Sequence, residues 1–308
     1  MQTVLYSYPQ KKNEYNTPSV IALGLFDGVH LAHRALLDAA REQALRRGLL
    51  FTVFTFAEGD LKRGKKKIYS DPDKLSILEE LGVERVILCD FLSVKDLSAD
   101  KFISDVLIGT FGLEYAVSGF NFRFGRGASG DSDTLSAHLR ERGLDALIVP
   151  EMKYGDLTLS STVIREMLEI GDVEGASLAL GSPYFIKGVT EHGRGVGRAL
   201  GIPTVNTGID PSRLTVANGV YLTEIDVGGT SYPALTNVGT CPTFDERPIH
   251  AETYILDFNG DLYGQELKIK FLAKLRDEKR FQNEKELIMQ INIDKNAALS
   301  LYEKKRSI

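Results

Sequence analysis

Two spacing rules divide this chain. Up to about Gly181-Ser182-Pro183, unbroken apolar runs alternate with segments of helical spacing; beyond it, short extended runs follow one another between Gly, Asn and Asp turns. In the first part SVIALGLF (19–26) ends at Asp27-Gly28, which predicts a buried strand leading into a turn. His33 to Arg47 places Leu36, Leu37, Ala40, Ala44 and Leu45 at helical spacing. FTVFTF (51–56), RVILCDF (85–91), YAVSGF (115–120) and LIVPEM (147–152) read as strands, and 73–82, about 99–110 and Thr162 to Ile170 as helices. Strand and helix alternate, so the expected class is α/β with a parallel, helix-covered sheet. In the second part GVYLTEI, YPALTNVG, ETYILDF and ELKIKFL predict an antiparallel barrel. The last segment, 284–304, carries Leu287, Ile288, Ile291, Ala297, Ala298 and Leu301 on one helical face, a C-terminal helix expected to pack across the barrel.

Composition narrows the function classes. The 308 residues are enough for two cores, and 43% hydrophobic with 26% charged residues is ordinary for a globular protein. A net charge of −5 argues against a nucleic-acid partner, which normally needs a basic face. The dense run KRGKKK (62–67) reads as a solvated loop. Two cysteines, Cys89 and Cys241, make neither a disulfide framework nor a four-ligand zinc site. The opening residues lack the order of a secretory signal, and no apolar run approaches membrane-spanning length. The expected location is the cytoplasm, with no membrane partner; the oligomeric state is left open.

The chemistry concentrates in GRGVGRALGIPTVN (193–206). Glycines this dense let backbone approach a ligand and leave amide N–H groups free to meet phosphate oxygens. No Walker sequence aligns to it. Pro203-Thr204-x-Asn206 adds a rigid backbone followed by a hydroxyl and an amide, oxygen donors suited to Mg²⁺.

With NGVY (218–221), TNVGTCPTF (236–244), AETYILDF (251–258) and DLYG (261–264), this stretch resembles the riboflavin kinase module of prokaryotic bifunctional riboflavin kinase/FAD synthetases. The N-terminal half resembles the partner module, an FMN adenylyltransferase with a Rossmann-like nucleotidyltransferase fold. The resemblance implies domains at 1–182 and 183–308, with ATP as co-substrate, riboflavin, FMN and FAD as substrates or products, and Mg²⁺ as the cation.

It also implies residue roles. In the kinase half Glu252 would be the general base for the riboflavin 5′-hydroxyl. Thr204 and Asn206 would hold Mg²⁺ and phosphate oxygens, Gly193, Gly195 and Gly197 a flap over ATP, and Arg276 the border of the flavin. In the other half Gly24, Phe26 and Asp27, which follow the first strand in GLFDGVH, would help bind the nucleotide, and His30 and His33 would lie on one helical side facing the ATP phosphates. Asn121, in GFNFRFG, would contact the flavin substrate. Ser160, Ser161 and Thr162 start a helix, with Arg165 one turn in, facing the triphosphate.

Two departures from the family pattern stand out. Ala32 replaces the usual glycine between the histidines, and Phe56-Ala57-Glu58-Gly59-Asp60 replaces Phe-Asp-Pro-His-Pro. They lead us to expect weak or absent FAD synthesis beside a competent kinase. The rival readings are a monofunctional kinase on a scaffold domain and a flavin- or nucleotide-sensing regulator; pure sensing gives no reason for a base at Glu252.

Overall fold

The computed structural model describes residues 1–10, 15–57, 66–191, 202–210, 212–239 and 250–306. By contacts the chain forms two compact units, Met1–Ser161 and Thr162–Ile308.

The first unit is built on a six-stranded parallel sheet of β1 (Gln2–Tyr6), β2 (Ser19–Leu23), β3 (Leu50–Phe56), β4 (Arg85–Cys89), β5 (Leu113–Gly119) and β8 (Asp145–Val149), in the order β1-β4-β3-β2-β5-β8. Every residue of β2 and β4 is buried, the pattern of strands covered on both faces. Two short hairpins, β6/β7 (Arg123–Phe124, Gly130–Asp131) and β9/β10 (Lys153–Tyr154, Leu157–Thr158), lie outside the sheet. From β2 the chain moves one way through β3 and β4, then crosses to the other side for β5 and β8. That reversal makes the carboxyl ends of β2 and β5 a switch point, where open α/β sheets leave a crevice for ligands.

Helix α1 (Leu31–Arg47) buries Leu36, Leu37, Ala40 and Ala44 and stops at Gly48, which takes φ 65°. Leu45, expected on this face, is instead 79% exposed: it stands one residue past Ala44, about 100° further round the helix. The segment expected as one helix over 99–110 is a short α-turn, Ala99–Lys101, continued by a π-helix, Phe102–Ile108. The wider turn lets Phe102, Ile103, Val106 and Leu107 all enter the core with Phe54, Ile87 and Phe111. Strand β1 and the helices Ser132–Glu141 and Val173–Leu180 were not read from the sequence.

The second unit opens with helices Ser161–Ile170 and Val173–Leu180, the former beginning at the unit boundary, and closes as an antiparallel barrel. Its strands are β11 (Phe185–Glu191), β12 (Val205–Gly208), β13 (Gly219–Val227), β14 (Thr230–Gly239), β15 (His250–Ile255) and β16 (Glu266–Arg276), ordered β11-β12-β15-β14-β13-β16. Thr223, Thr236 and Thr253 point inward and join their buried hydroxyls at 2.7 and 3.0 Å. Strand alternation therefore turns Leu222, Leu235, Asn237 and Glu252 outward.

The C-terminal helix Glu284–Arg306 packs on that outer face, where Ala298 and Tyr302 meet Val220, Leu222, Leu235 and Ala273. Its buried stripe is Asp294, Ala298 and Tyr302, with Leu287, Ile291 and Leu301 half-buried beside it; Ala297, expected on this face, is exposed. An acid ranked below an alanine in apolar character takes the buried position because Arg276 pairs with it there.

Candidate active sites

The loop from β2 to α1 is tightly constrained. Phe26 (φ 51°), Gly28 (φ 82°) and Val29 (φ 42°) all occupy the left-handed region, a conformation that costs a bulky or β-branched residue energy and clusters at functional sites. Phe26 and Val29 are fully buried, which holds them there. At Gly24 a Cβ would sit 3.1 Å from the Phe26 ring, so a side chain there would require that buried ring to give by a few tenths of an ångström. Asp27 is buried and clasped: its Oδ1 accepts from the Ile68 amide at 3.1 Å, and its carbonyl accepts from Ser161 Oγ at 2.8 Å. Ser161, predicted to face phosphate, thus braces this loop.

His30 does not lie within the helix but caps it, its Nδ1 accepting from the His33 amide at 3.3 Å. The two rings share a side by stacking, with centroids 3.6 Å apart and planes 16° off parallel. Phe26 closes the back of His33 at 5.2 Å. Burial lowers the pKa of His30 to about 4; burial, and then the neighbouring His30, hold His33 well below the ordinary range. Both rings are neutral at pH 7. Nδ1 of His33 is buried with no hydrogen-bond partner among the described residues.

Across the switch point, Asn121 follows β5 at the surface, its Oδ1 3.3 Å from where a Cβ of Gly119 would stand. Ser160 and Arg165 are half-buried and Thr162 exposed, at and just inside the helix Ser161–Ile170. Ala32 lies in the first turn of α1, where alanine is the best of helix formers and a glycine is not required by the backbone. Of the second departure, Phe56 and Ala57 are described, and Glu58, Gly59 and Asp60 lie outside the described residues. Beside Phe56 and Ala57 a small cavity is lined by Asp27, Lys67 and Lys74. Both lysines pair with Asp71, at 2.8 and 3.2 Å. Lys67 ends the run KRGKKK expected as a solvated loop and is instead half-buried, because Asp71 pairs with it, while Lys74 carried no periodic or motif signal.

The barrel carries the second site. Pairing places Asn206, Glu252, Asn237, Val220 and Arg276 in one cross-strand row over β12, β15, β14, β13 and β16. Residues directly opposite each other share a face, so this row is continuous. Thr204, just before β12, donates its hydroxyl to Glu252 Oε1 at 2.8 Å. Beside them opens a cavity of about 340 Å³, within the size range of small-molecule sites. Ile202, Leu235, Tyr254, Phe281, Leu287 and Ile291 give it apolar walls, while Thr204, Asn237, Glu252, Arg276 and Asp294 line it with polar groups. Arg276 makes a bidentate pair with Asp294 and lies 5.8 Å from the Phe281 ring. Sequence reasoning missed Asn237 and Asp294; an asparagine two positions along an outward-facing strand from Leu235 was the available signal for the first.

Gly193, Gly195 and Gly197 lie outside the described residues. Among the described residues no three His, Cys, Asp or Glu side chains gather to hold a metal. The donors on the row are instead a hydroxyl, two amides and one carboxylate, the hard oxygen set that suits Mg²⁺ held jointly with a substrate's phosphates.

A parallel sheet with a constrained loop at its switch point, followed by a barrel bearing a carboxylate beside hydroxyl and amide donors and an apolar cavity, defines a two-unit α/β-plus-barrel protein with a candidate site on each unit. The FAD synthetase family model matches residues 12–163 and the riboflavin kinase model residues 180–302. The bifunctional riboflavin kinase/FMN adenylyltransferase of Bacillus subtilis is 36% identical over 99% of this chain and 100% of its own length. That of Escherichia coli K12 is 33% identical over 92% of each. The chain belongs to the bifunctional riboflavin kinase/FMN adenylyltransferase family. A crystal structure from Streptococcus pneumoniae, described as a macrolide-efflux protein, superposes with a TM-score of 0.87 at 28% identity, covering 97% of this chain and 99% of that one. Among the described residues here, no helix is long and apolar enough to cross a membrane.

Proposed function

We propose that the chain makes FMN from riboflavin and ATP on its barrel, and FAD from FMN and ATP on its α/β unit. We assign the first reaction to residues 183–308 and the second to 1–182, and place the protein in the cytoplasm with small molecules as its partners. The observation that carries the reading is the row Asn206–Glu252–Asn237 with Thr204 bonded to Glu252 at the mouth of an apolar cavity.

On the barrel, Glu252 accepts the proton of the riboflavin 5′-hydroxyl as that oxygen attacks the γ-phosphorus of ATP; ADP leaves. Thr204 donates to Oε1 and thereby fixes which oxygen is presented. Thr204 and Asn206 would hold Mg²⁺, which supplies charge neutralisation of the triphosphate. Arg276 and the apolar walls take the flavin ring, and Gly193, Gly195 and Gly197 supply the flap over ATP.

On the α/β unit, the FMN phosphate attacks the α-phosphorus of ATP and pyrophosphate leaves. Such a transfer needs positioning and charge stabilisation rather than a protein nucleophile. Gly24, Phe26 and Asp27 hold the loop shape. His30 and His33, neutral rings with buried edges, donate to the phosphates; Ser160, Thr162 and Arg165 supply further donors, Ser161 braces the loop through the Asp27 carbonyl, and Asn121 supplies the flavin contact. A helical Ala32 supports retention of this activity. Purified protein given riboflavin, ATP and Mg²⁺ forms FMN and then FAD by chromatography. Folded protein that makes no FMN overturns the reading, and failure to release pyrophosphate from FMN and ATP limits it to the kinase.

A further inference from the structure

One buried ion pair holds the cavity wall that faces the C-terminal helix. Arg276 Nε donates to both oxygens of Asp294, at 3.1 and 3.0 Å, and Nη2 to Oδ2 at 2.9 Å, while Nη1 is taken by the Asp277 carbonyl at 3.0 Å. Gln290 Nε2 adds a bond to Asp294 Oδ1 at 2.8 Å. Asp294 is 4% exposed, and both it and Arg276 line the cavity. With each of its three nitrogens bonded, the guanidinium is held in one orientation, and it stands as a flat surface beside Phe281.

The same acid seats the helix. From 284 to 293 no residue of the helix is fully buried; Asp294 is the first that is, followed by Ala298 and Tyr302. Leu287 and Ile291 lie seven and three residues before Asp294, on its side of the helix, and line the cavity half-buried. They form a roof that the barrel alone does not fill.

We propose that Asp294 is a positioning residue for riboflavin: it fixes Arg276 as one wall of the cavity and seats Leu287 and Ile291 as its apolar roof, so that flavin binding and docking of the helix over 284–293 are one event. The inference rests on the reading that this cavity takes riboflavin. Ile291 already packs partly against the core under the helix, and an apolar ring placed under the roof buries Leu287 and the rest of Ile291, adding to the packing of the helix's first half.

The test is a kinase assay on the full chain with Asp294→Asn, Asp294→Glu and Gln290→Ala, paired with quenching of riboflavin fluorescence without ATP. Asp294→Asn raises KM for riboflavin about tenfold while KM for ATP and kcat stay within about threefold, and Asp294→Glu recovers most of the loss. Hydrogen exchange over 284–293 slows when riboflavin is added to the parent protein and fails to slow in Asp294→Asn. An unchanged riboflavin KM in a folded Asp294→Asn, an equal rise in both KM values, or exchange indifferent to riboflavin overturns the proposal. Should Asp294→Asn not fold, Gln290→Ala decides: a KM rise confined to riboflavin supports it, and none overturns it. Parent protein that neither quenches nor phosphorylates riboflavin sinks the underlying reading instead.

Discussion

Glu252 reaches the cavity because its neighbours do not: Ala251 and Thr253 are fully buried inside the barrel, so the residue between them points out. The same alternation turns Asn206 away from buried Thr207 and Asn237 away from buried Thr236 and Val238. Glu252→Gln keeps the shape and the Thr204 bond's acceptor while removing the proton acceptor. FMN formation should fall about 10² to 10⁴-fold with riboflavin KM little changed, measured by steady-state assay. The histidine pair makes a different prediction. Since the folded pKa of His30 is about 4 against an ordinary 6.5, the unfolded chain binds more protons than the native one between those values. The contribution is complete above about pH 6.5 and is lost as pH falls toward 4, by up to about 1.4 kcal/mol per pH unit for one such ring. Urea midpoints taken from pH 7.5 to 4.5 should show this fall, and His30→Asn should reduce it, leaving the part that comes from buried His33.

At the scale of elements, the β2–α1 loop holds two non-glycine residues at positive φ, and what fixes them is burial of Phe26 and Val29 together with the clasp on Asp27. At the opposite ends of the strands, Arg85 ties the sheet together. Its fully buried guanidinium donates to Thr52 Oγ1, the Tyr15 carbonyl, Ser19 Oγ and the Phe111 carbonyl, at 2.6 to 3.1 Å. No carboxylate pairs with it among the described residues, and burial lowers its pKa to about 10. Arg85→Met would leave several buried acceptors without a donor and should cost at least about 3 kcal/mol, seen as a lower urea midpoint at unchanged slope. Arg85 sits in RVILCDF, where it reads as the polar start of a strand; its role was not legible because its four partners come from distant segments. The strands themselves were legible from continuous apolar runs, and β1 was not, because QTVLY is an edge strand with buried residues only at Val4 and Tyr6.

For the whole molecule, two sites on two units predict separable losses. Glu252→Gln should impair FMN formation from riboflavin and leave conversion of supplied FMN to FAD intact, whereas His33→Ala should do the reverse, with both products followed by chromatography. A chelator should stop FMN formation, restored by added Mg²⁺; persistence of activity would remove Thr204 and Asn206 from a cation-holding role. The sequence by itself determined the alternation of the main strands and helices, the change from α/β to barrel spacing, and the residue types grouped at Gly24–His33 and at Thr204, Asn206 and Glu252. Periodicity and motif spacing are local properties, written over a few residues. Only the tertiary structure decided that His30 caps rather than joins a helix, that Asn237 shares a row with Glu252, and that Asp294 rather than Ala297 is the buried side of the last helix. The last two outcomes depend on strand register and on which charged group finds a partner once the barrel closes, between residues 15 and 18 positions apart; the first depends on the buried loop that fixes where α1 begins.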